Sequence, residues 1–325
     1  MKLPVTVWVL NLDAEIELDR MQVWLAAGHS STAFSYATAK PVRTLIDSHA
    51  RSFAALLPGN AVVLGGDDAL TTRLPGARGV CWCPTPSALA RLQRAGVAGL
   101  AAPEPALLAR VNHRRYCAEL GQTLSAAQFV TTLEQMNEVL SGQSPKGQPQ
   151  TTQWLCKRPL SFAGRGQRRI ATGAGPQSQS LSDNQRWLLE SVPHGGLQIE
   201  PFLPIVAEFS VHGLLHRNGQ VQLGQLCQQH VDEHRAWSRS TTVLSQSLSN
   251  AHLQQLKSEA ERVAASLLRD GYFGPFNVDS YLWRDPSGAL HLNPRSEINA
   301  RLTMGYPVGM GPQWLEELIA ACGNS

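Results

Sequence analysis

Four residues near the C-terminus have the types and the spacing that chemistry needs. Asp279 stands in the run FNVDSYL, and Glu297, Asn299 and Arg301 take every second position of SEINAR. In an extended backbone, alternate side chains share a face. If the two segments pair, one patch carries two carboxylates, an amide oxygen and a guanidinium. Hard oxygens of that kind suit Mg²⁺, which takes a few protein groups plus substrate phosphates. A fixed cation beside them would stabilise charge on a phosphoryl group in transfer. The same spacing also fits an ordinary surface strand with a Glu297–Arg301 salt bridge.

A second set lies in Lys157-Arg158-Pro159-Leu160-Ser161-Phe162-Ala163-Gly164-Arg165-Gly166. A lysine inside a strand is unusual. Here it precedes a loop whose glycines let backbone N–H groups approach phosphates, while the lysine adds a point charge. The spacing is not that of a Walker A loop, and a solvated basic turn fits as well. The third set is Glu200-Pro201-Phe202-Leu203 at the end of an apolar run, with Glu208 eight residues after Glu200. It is consistent with a hinge whose backbone bonds an adenine, although a surface glutamate explains that run better by itself. A catalytic role is open to His212, His230 and His234, but structural or surface histidines fit them better.

The elements that must position these residues fall into two stretches. Residues 1 to about 105 alternate strands (Val5–Leu10, Ala61–Leu64, Gly79–Cys83) with helices (Arg43–Leu57, Ser87–Ala95), which predicts a parallel sheet. Ala102-Pro103-Glu104-Pro105 marks a boundary. Beyond it, Asn112 is placed to cap a helix that stops at Gly121. Ser141–Gln150 reads as an exposed loop. Strands follow at Gln153–Leu160 and 197–202. Glu208–Leu215 and Val221–Leu226 flank Asn218-Gly219, which suits a type I′ hairpin turn. Ser249–Arg269 is an amphipathic helix with Leu253, Leu256, Ala260, Val263 and Leu267 on one stripe, closed by Gly271. Strands at Asn277–Trp283 and Ala289–Asn293 complete the pattern.

Taken in this order, from about Asn112 to about Gly311, the segments resemble the ATP-grasp superfamily, of the carboxylate–amine ligase type. The phrases GYFGPFNVD and EINARLTMG carry most of the likeness, since the family commonly reads Gly-x-x-Gly-x-x-x-x-Asp and later Glu-x-Asn-x-Arg. The resemblance implies an α/β chain. Residues 108–325 would form the α+β ATP-grasp fold, two subdomains with ATP between them. Residues 1–107 would form a Rossmann-like domain preceding it.

The resemblance also implies roles. Lys157 would contact the ATP phosphates and share the catalytic work with Arg301. Ser161, Gly164, Arg165 and Gly166 would belong to a flap over the phosphates. Glu200 and the backbone of Pro201, Phe202 and Leu203 would face the adenine, and Glu208 the ribose. Asp279, Glu297 and Asn299 would hold two Mg²⁺ ions, and Arg301 would stabilise the acyl-phosphate transition state. The family usually has an earlier lysine where this sequence reads Asn112-His113-Arg114-Arg115. Arg114 or Arg115 would replace it, and an arginine keeps its charge at any working pH. The implied reaction uses ATP to turn a carboxylate into an acyl phosphate, which an amine then captures. The alternatives are a small-molecule kinase and a catalytically silent nucleotide-binding protein.

Composition narrows the partners. With 43% hydrophobic and 16% charged residues, the 325-residue chain can bury a sizeable core. A net charge of +3 without a long basic tract does not indicate a nucleic-acid partner. No stretch approaches the roughly 20 apolar residues of a membrane span, and Met1–Leu10 is short for a signal peptide. Of six cysteines only Cys81 and Cys83 lie close together, so reduced thiols and a cytoplasmic setting are expected. The partners expected are a small-molecule carboxylate and an amine. Dimers are common among such enzymes.

Overall fold

The computed structural model describes residues 4–30, 33–65, 74–141, 152–161, 166–173, 182–231, 237–243 and 248–323, and among these three sheets carry the fold. The first is parallel, with β1 (Thr6–Val9) between β2 (Ala61–Val63) and β3 (Arg78–Cys81). All four residues of β1 are buried, as befits a central parallel strand covered on both faces. Helices α1 (Ala14–Ala26) and α2 (Lys40–Ala54) both lie between β1 and β2, and α3 (Pro86–Arg94) follows β3; the two latter carry proline in the first turn, where its missing N–H costs nothing.

The second sheet has the order β4 (Gln128–Val130), β7 (Leu197–Pro201), β5 (Gln153–Lys157), β6 (Gln167–Ala171), all antiparallel. Two helices, α6 (Leu133–Leu140) and α7 (Asp183–Ser191), start with reciprocal capping boxes, Thr132 with Gln135 and Ser182 with Gln185. This sheet has its own core around Trp154, Ile170, Trp187 and Ile199.

The third sheet is antiparallel throughout: β10 (Trp237–Thr242), β9 (Val221–Val231), β8 (Ile205–Leu215), β11 (Gly274–Arg284), β12 (Leu290–Asn299). Helix α8 (Asn250–Arg269), capped by the Ser249 hydroxyl, lays its predicted Leu256, Ala260, Val263 and Leu267 stripe on it. The core of this sheet is continuous with that of the first. Trp8 and Phe53 pack against Trp314 at the start of the last helix, Trp314–Cys322, with Trp8 and Trp314 ring centroids 5.8 Å apart.

Three local expectations need correction. The helix predicted from Asn112 to Gly121 is α5 (Arg114–Glu119), and Asn112 is the last residue of a separate helix before it, α4 (Pro105–Asn112). His113 caps α5, its Nδ1 accepting the Arg115 N–H at 3.1 Å. The Asn112 side chain instead turns inward to Leu108 and Ala300. The β8–β9 hairpin is not type I′. Gly219 alone is left-handed (φ 88°), the Gly219 N–H donates to the His216 carbonyl at 2.9 Å, and the Asn218 side chain accepts the Gln220 N–H. That is the three-residue loop in which one glycine makes the bulge. Finally, β12 does not stop at Asn293 but runs through Pro294 to Asn299. It is an edge strand with a register shift opposite Asp279–Tyr281, a place where proline is tolerated. The predicted Ser141–Gln150 loop lies outside the described residues apart from Ser141. No helix among the described residues is long and apolar enough to cross a membrane.

Candidate active site

The antiparallel register of β11 and β12 sets Asp279 directly opposite Glu297, and Asn277 opposite Asn299. Three amides converge on the Asp279 carboxylate. Gln229 and Asn277 each donate to Oδ1 at 2.7 Å, and Asn299 donates to Oδ2 at 2.9 Å. Burial and then the charge of Glu297 push the Asp279 carboxyl up to about 7, while Gln229 and Asn277 oppose the rise. Among the described residues no three His, Cys, Asp or Glu side chains form a ready metal cage. Two facing carboxylates are what the site offers a cation.

The two guanidiniums at this edge are held differently. Arg114, the first residue of α5, is buried and lies 2.8 Å from Glu297 Oε1, and its Nε donates to the Arg158 carbonyl at 3.1 Å. Burial alone would lower its pKa, but Glu297 and Glu200 more than offset that and hold it above the ordinary value. Glu297 therefore pairs with Arg114, not with Arg301. Arg301 follows the end of β12. It donates to Asn299 Oδ1 and to the Leu302 carbonyl, both at 2.9 Å, and pairs with Glu15 in the first turn of α1. Its guanidinium stands 5.7 Å from the Trp82 ring centre. The Glu15 carboxyl is pushed up by burial, with Arg301 opposing. The backbone around Arg301 is gripped as well. The Ala300 N–H donates to Asn112 Oδ1 at 2.9 Å, and the Leu302 N–H donates to the Trp82 carbonyl at 3.1 Å.

Sequence reasoning missed Glu15. Its one trace was a pair of glutamates, Glu15 and Glu17, on a helix whose neighbours Leu18 and Met21 belong to the core. Glu17 has a structural use. It accepts from the Thr85 hydroxyl (2.7 Å) and the Ser87 N–H (2.9 Å) at the start of α3.

Asp279, Glu297, Asn299, Arg301, Arg114 and Ser161 all border one polar cavity of about 290 Å³. Lys157 and Glu200 form a buried ion pair a short way off, on neighbouring strands β5 and β7. Arg114 borders the smaller cavity on their side too, together with Glu200 and Gln198. Glu208 lies on β8 across from Tyr281, two positions before Ser210 and so on the cavity's face. Of the predicted hinge, the Phe202 N–H is taken by the Gln153 carbonyl (2.9 Å), and the Phe202 ring lies 3.9 Å from the Arg169 guanidinium. Pro201 pairs with Trp154, and the Leu203 carbonyl accepts the Ile205 N–H. Arg115 is not brought to the cavity; its guanidinium stands over Phe129, 5.3 Å from the ring centre. Gly166 closes the loop after β5, its carbonyl accepting the Arg158 N–H. Gly164 and Arg165 lie outside the described residues, as does His234. His230 bonds Thr241 at 3.0 Å, and His212 is buried at the cavity wall.

No family model matches the sequence, and neither does any curated protein. Solved structures do match. D-alanyl-alanine synthetase A from Vibrio cholerae superposes with a TM-score of 0.50 at 13% identity, over 98% of this chain and 95% of that one. N5-carboxyaminoimidazole ribonucleotide synthetase from Thermus thermophilus gives 0.52 at 16% identity, over 97% and 78%. The biotin carboxylase domain of the Hydrogenobacter thermophilus 2-oxoglutarate carboxylase, in complex with MgADP, ADP and bicarbonate, gives 0.55 at 12% identity, over 100% and 71%. The chain has the ATP-grasp fold. In this fold the two polar groups come from different sheets, Lys157 and Glu200 from the four-stranded one, Asp279, Glu297 and Asn299 from the five-stranded one. Arg114 links them.

Proposed function

We propose that the chain is an ATP-dependent carboxylate–amine ligase. The observation that carries this reading is the pairing of Asp279 with Glu297 beside Arg114 and Arg301 on one cavity wall. Two hard carboxylates with an amide beside them fit Mg²⁺, which prefers few protein oxygens and completes its shell with water and phosphate. Asp279, Glu297 and Asn299 would hold it, Asn299 sharing its Oδ1 with Arg301. Bound there, Mg²⁺ supplies neutralisation of the phosphate charge.

Arg301, fixed at four points, presents a rigid cation to the phosphoryl group in transfer, so little reorganisation accompanies the reaction. Arg114 takes the place of the family's first phosphate-binding lysine, because it reaches the cavity and Arg115 does not. Lys157 binds phosphate with Ser161, Gly164, Arg165 and Gly166 forming the covering loop, and Glu200, Pro201, Phe202, Leu203 and Glu208 hold the nucleoside. Residues 1–107 act as the Rossmann-like preceding domain and contribute Glu15 and Trp82 to the site. The substrate carboxylate attacks the γ-phosphorus and ADP leaves. The amine nitrogen then forms a C–N bond as phosphate departs, and its proton passes to the phosphate or to solvent. Six free thiols agree with a cytoplasmic setting.

The test is ADP release by purified protein with Mg²⁺ over pooled amino acids and small acids, beside calorimetric titration with ATP. Amide formation with ADP release supports the reading. A stable phosphoester would replace it with a kinase, and absence of both ATP binding and ADP release would end it.

A further inference from the structure

The cavity continues past the carboxylates into a corner whose polar atoms have no task in the scheme above. Ser210 and His212 of β8 lie opposite Asp279 and Asn277 of β11, and Thr303 and Trp237 border the same corner. Ser210, His212 and Asn277 are each 1% exposed. The Ser210 hydroxyl and Asn277 Oδ1 have no hydrogen-bond partner among the described residues. Such orphans are rare in native proteins and call for an explanation. Asn277 gives its NH₂ to Asp279 at 2.7 Å, which leaves its carbonyl oxygen as an acceptor.

His212 completes the corner as a neutral wall. Burial pushes its pKa down to about 3, and Nε2 lies 3.1 Å from the Thr303 hydroxyl. Its ring is lodged against Gly309, where any side chain would collide with Nδ1. The corner thus offers acceptors (Asn277 Oδ1, the two hydroxyl oxygens and the nearby carboxylates). The two cations of the cavity are already turned to Glu297, Asn299 and Glu15. A ligand that satisfies Asn277 Oδ1 must bring a hydrogen-bond donor, which the hydroxyls can also accept, and it can carry positive charge.

We propose that Ser210, His212, Asn277 and Thr303 form the seat of the amine substrate, with Asn277 Oδ1 and the Ser210 hydroxyl accepting its N–H groups. This rests on the ligase reading and adds to it the place of the second substrate and the reason it is an amine.

The experiment needs no turnover. Full-length protein labelled with ¹⁵N-histidine is titrated with methylammonium chloride, and in parallel with KCl at equal ionic strength, without nucleotide. A His212→Gln sample assigns the His212 signals. The expected result is a saturable shift of the His212 ring nitrogens by methylammonium and none by KCl. Asn277→Ala weakens that binding about tenfold, the effect of losing one buried hydrogen bond. Should Asn277→Ala fail to fold, Ser210→Ala gives the same reading. No saturable shift, an equal shift by KCl, or unchanged affinity in the folded variant overturns the proposal. Since ATP is absent, loss of the ligase reading in the ADP assay and loss of the amine seat are read separately.

Discussion

The two ionic groups of the candidate site are built in opposite ways. Lys157 and Glu200 sit on neighbouring strands of one small sheet with its own hydrophobic core. The register places them on one face as a diagonal pair, Lys157 opposite Gln198 and Glu200 two residues on. Arg301 is positioned by Glu15, Trp82, Asn112 and Asn299, which come from α1, the end of β3, α4 and β12. Those elements share one continuous core between the first and third sheets. The first group is a local module, the second a joint between layers. Damage to the joint should reach turnover through elements of both layers, whereas damage to the module should stay within its own sheet and the ligand it touches.

The strongest way to break that contrast is at Glu15. Glu15→Ala leaves the Arg301 charge buried and unpaired, which costs about 3–5 kcal/mol. Thermal unfolding should show the loss. Glu15→Gln keeps the shape, and its turnover should fall by about 10²-fold, with the KM for ATP little changed, because Arg301 would act on the transferring group more than on the bound nucleotide. Wild-type turnover in Glu15→Gln would mean that Arg301 needs no partner from the first layer.

At the module, Lys157→Met should cost about 3 kcal/mol by leaving Glu200 buried without its cation. The paired change Lys157→Met with Glu200→Leu should recover most of that, since an apolar replacement of a whole buried pair is often neutral. ATP affinity, measured by calorimetry, should remain weak in both. A double variant no more stable than the single one would show that the pair is tied to more than its own sheet.

Protons probe the joint more gently. Asp279 ordinarily titrates near 3.8 but is pushed up to about 7 in the folded chain. Between about pH 4 and 7 the folded protein therefore keeps a proton that the unfolded chain has released. Stability from this group is present at the acid end and lost as pH rises through about 7. In metal-free protein the loss should be about 4 kcal/mol, seen as a melting temperature that falls more steeply in wild type than in Asp279→Asn. Mg²⁺ with ATP at neutral pH should reverse it, because a bound cation favours the ionised carboxylate. Parallel pH profiles for the two proteins would mean that Asp279 is ionised throughout.

This contrast also explains what the sequence could disclose. Asp279, Glu297 and Asn299 were legible because strand periodicity is local, and the register that pairs them follows from one hairpin. Glu15 was not, since its partner lies 286 positions away and no short-range rule connects a helix start to a strand end. The placing of Glu297 opposite Asp279 was legible, but not its pairing with Arg114, for the same reason. The amide ring of Gln229 and Asn277 was hidden because glutamine and asparagine on strands carry no signature until a carboxylate is seen between them. The hairpin turn was read in the right place with the wrong geometry, since Asn218 bonds Gln220 through its side chain instead of adopting a left-handed backbone.

Asn112 gives the smallest effect and the sharpest distinction. As a helix cap it would have tolerated serine, which caps as well as asparagine. In the fold its Oδ1 accepts the buried Ala300 N–H and its Nδ2 donates to the Leu108 carbonyl at 2.9 Å and the Ala300 carbonyl at 3.3 Å, contacts that a serine side chain is too short to reproduce together. Asn112→Ser and Asn112→Ala should therefore lose similar stability, about 1–2 kcal/mol for an orphaned buried N–H. Both should lower turnover less than Glu15→Gln does, because the backbone before Arg301 loosens while its ion pair survives. Lys157 is untouched, so ATP affinity should hold. Serine restoring wild-type melting would return Asn112 to the role of a cap, and the grip on Arg301 would then rest on Glu15 and Trp82.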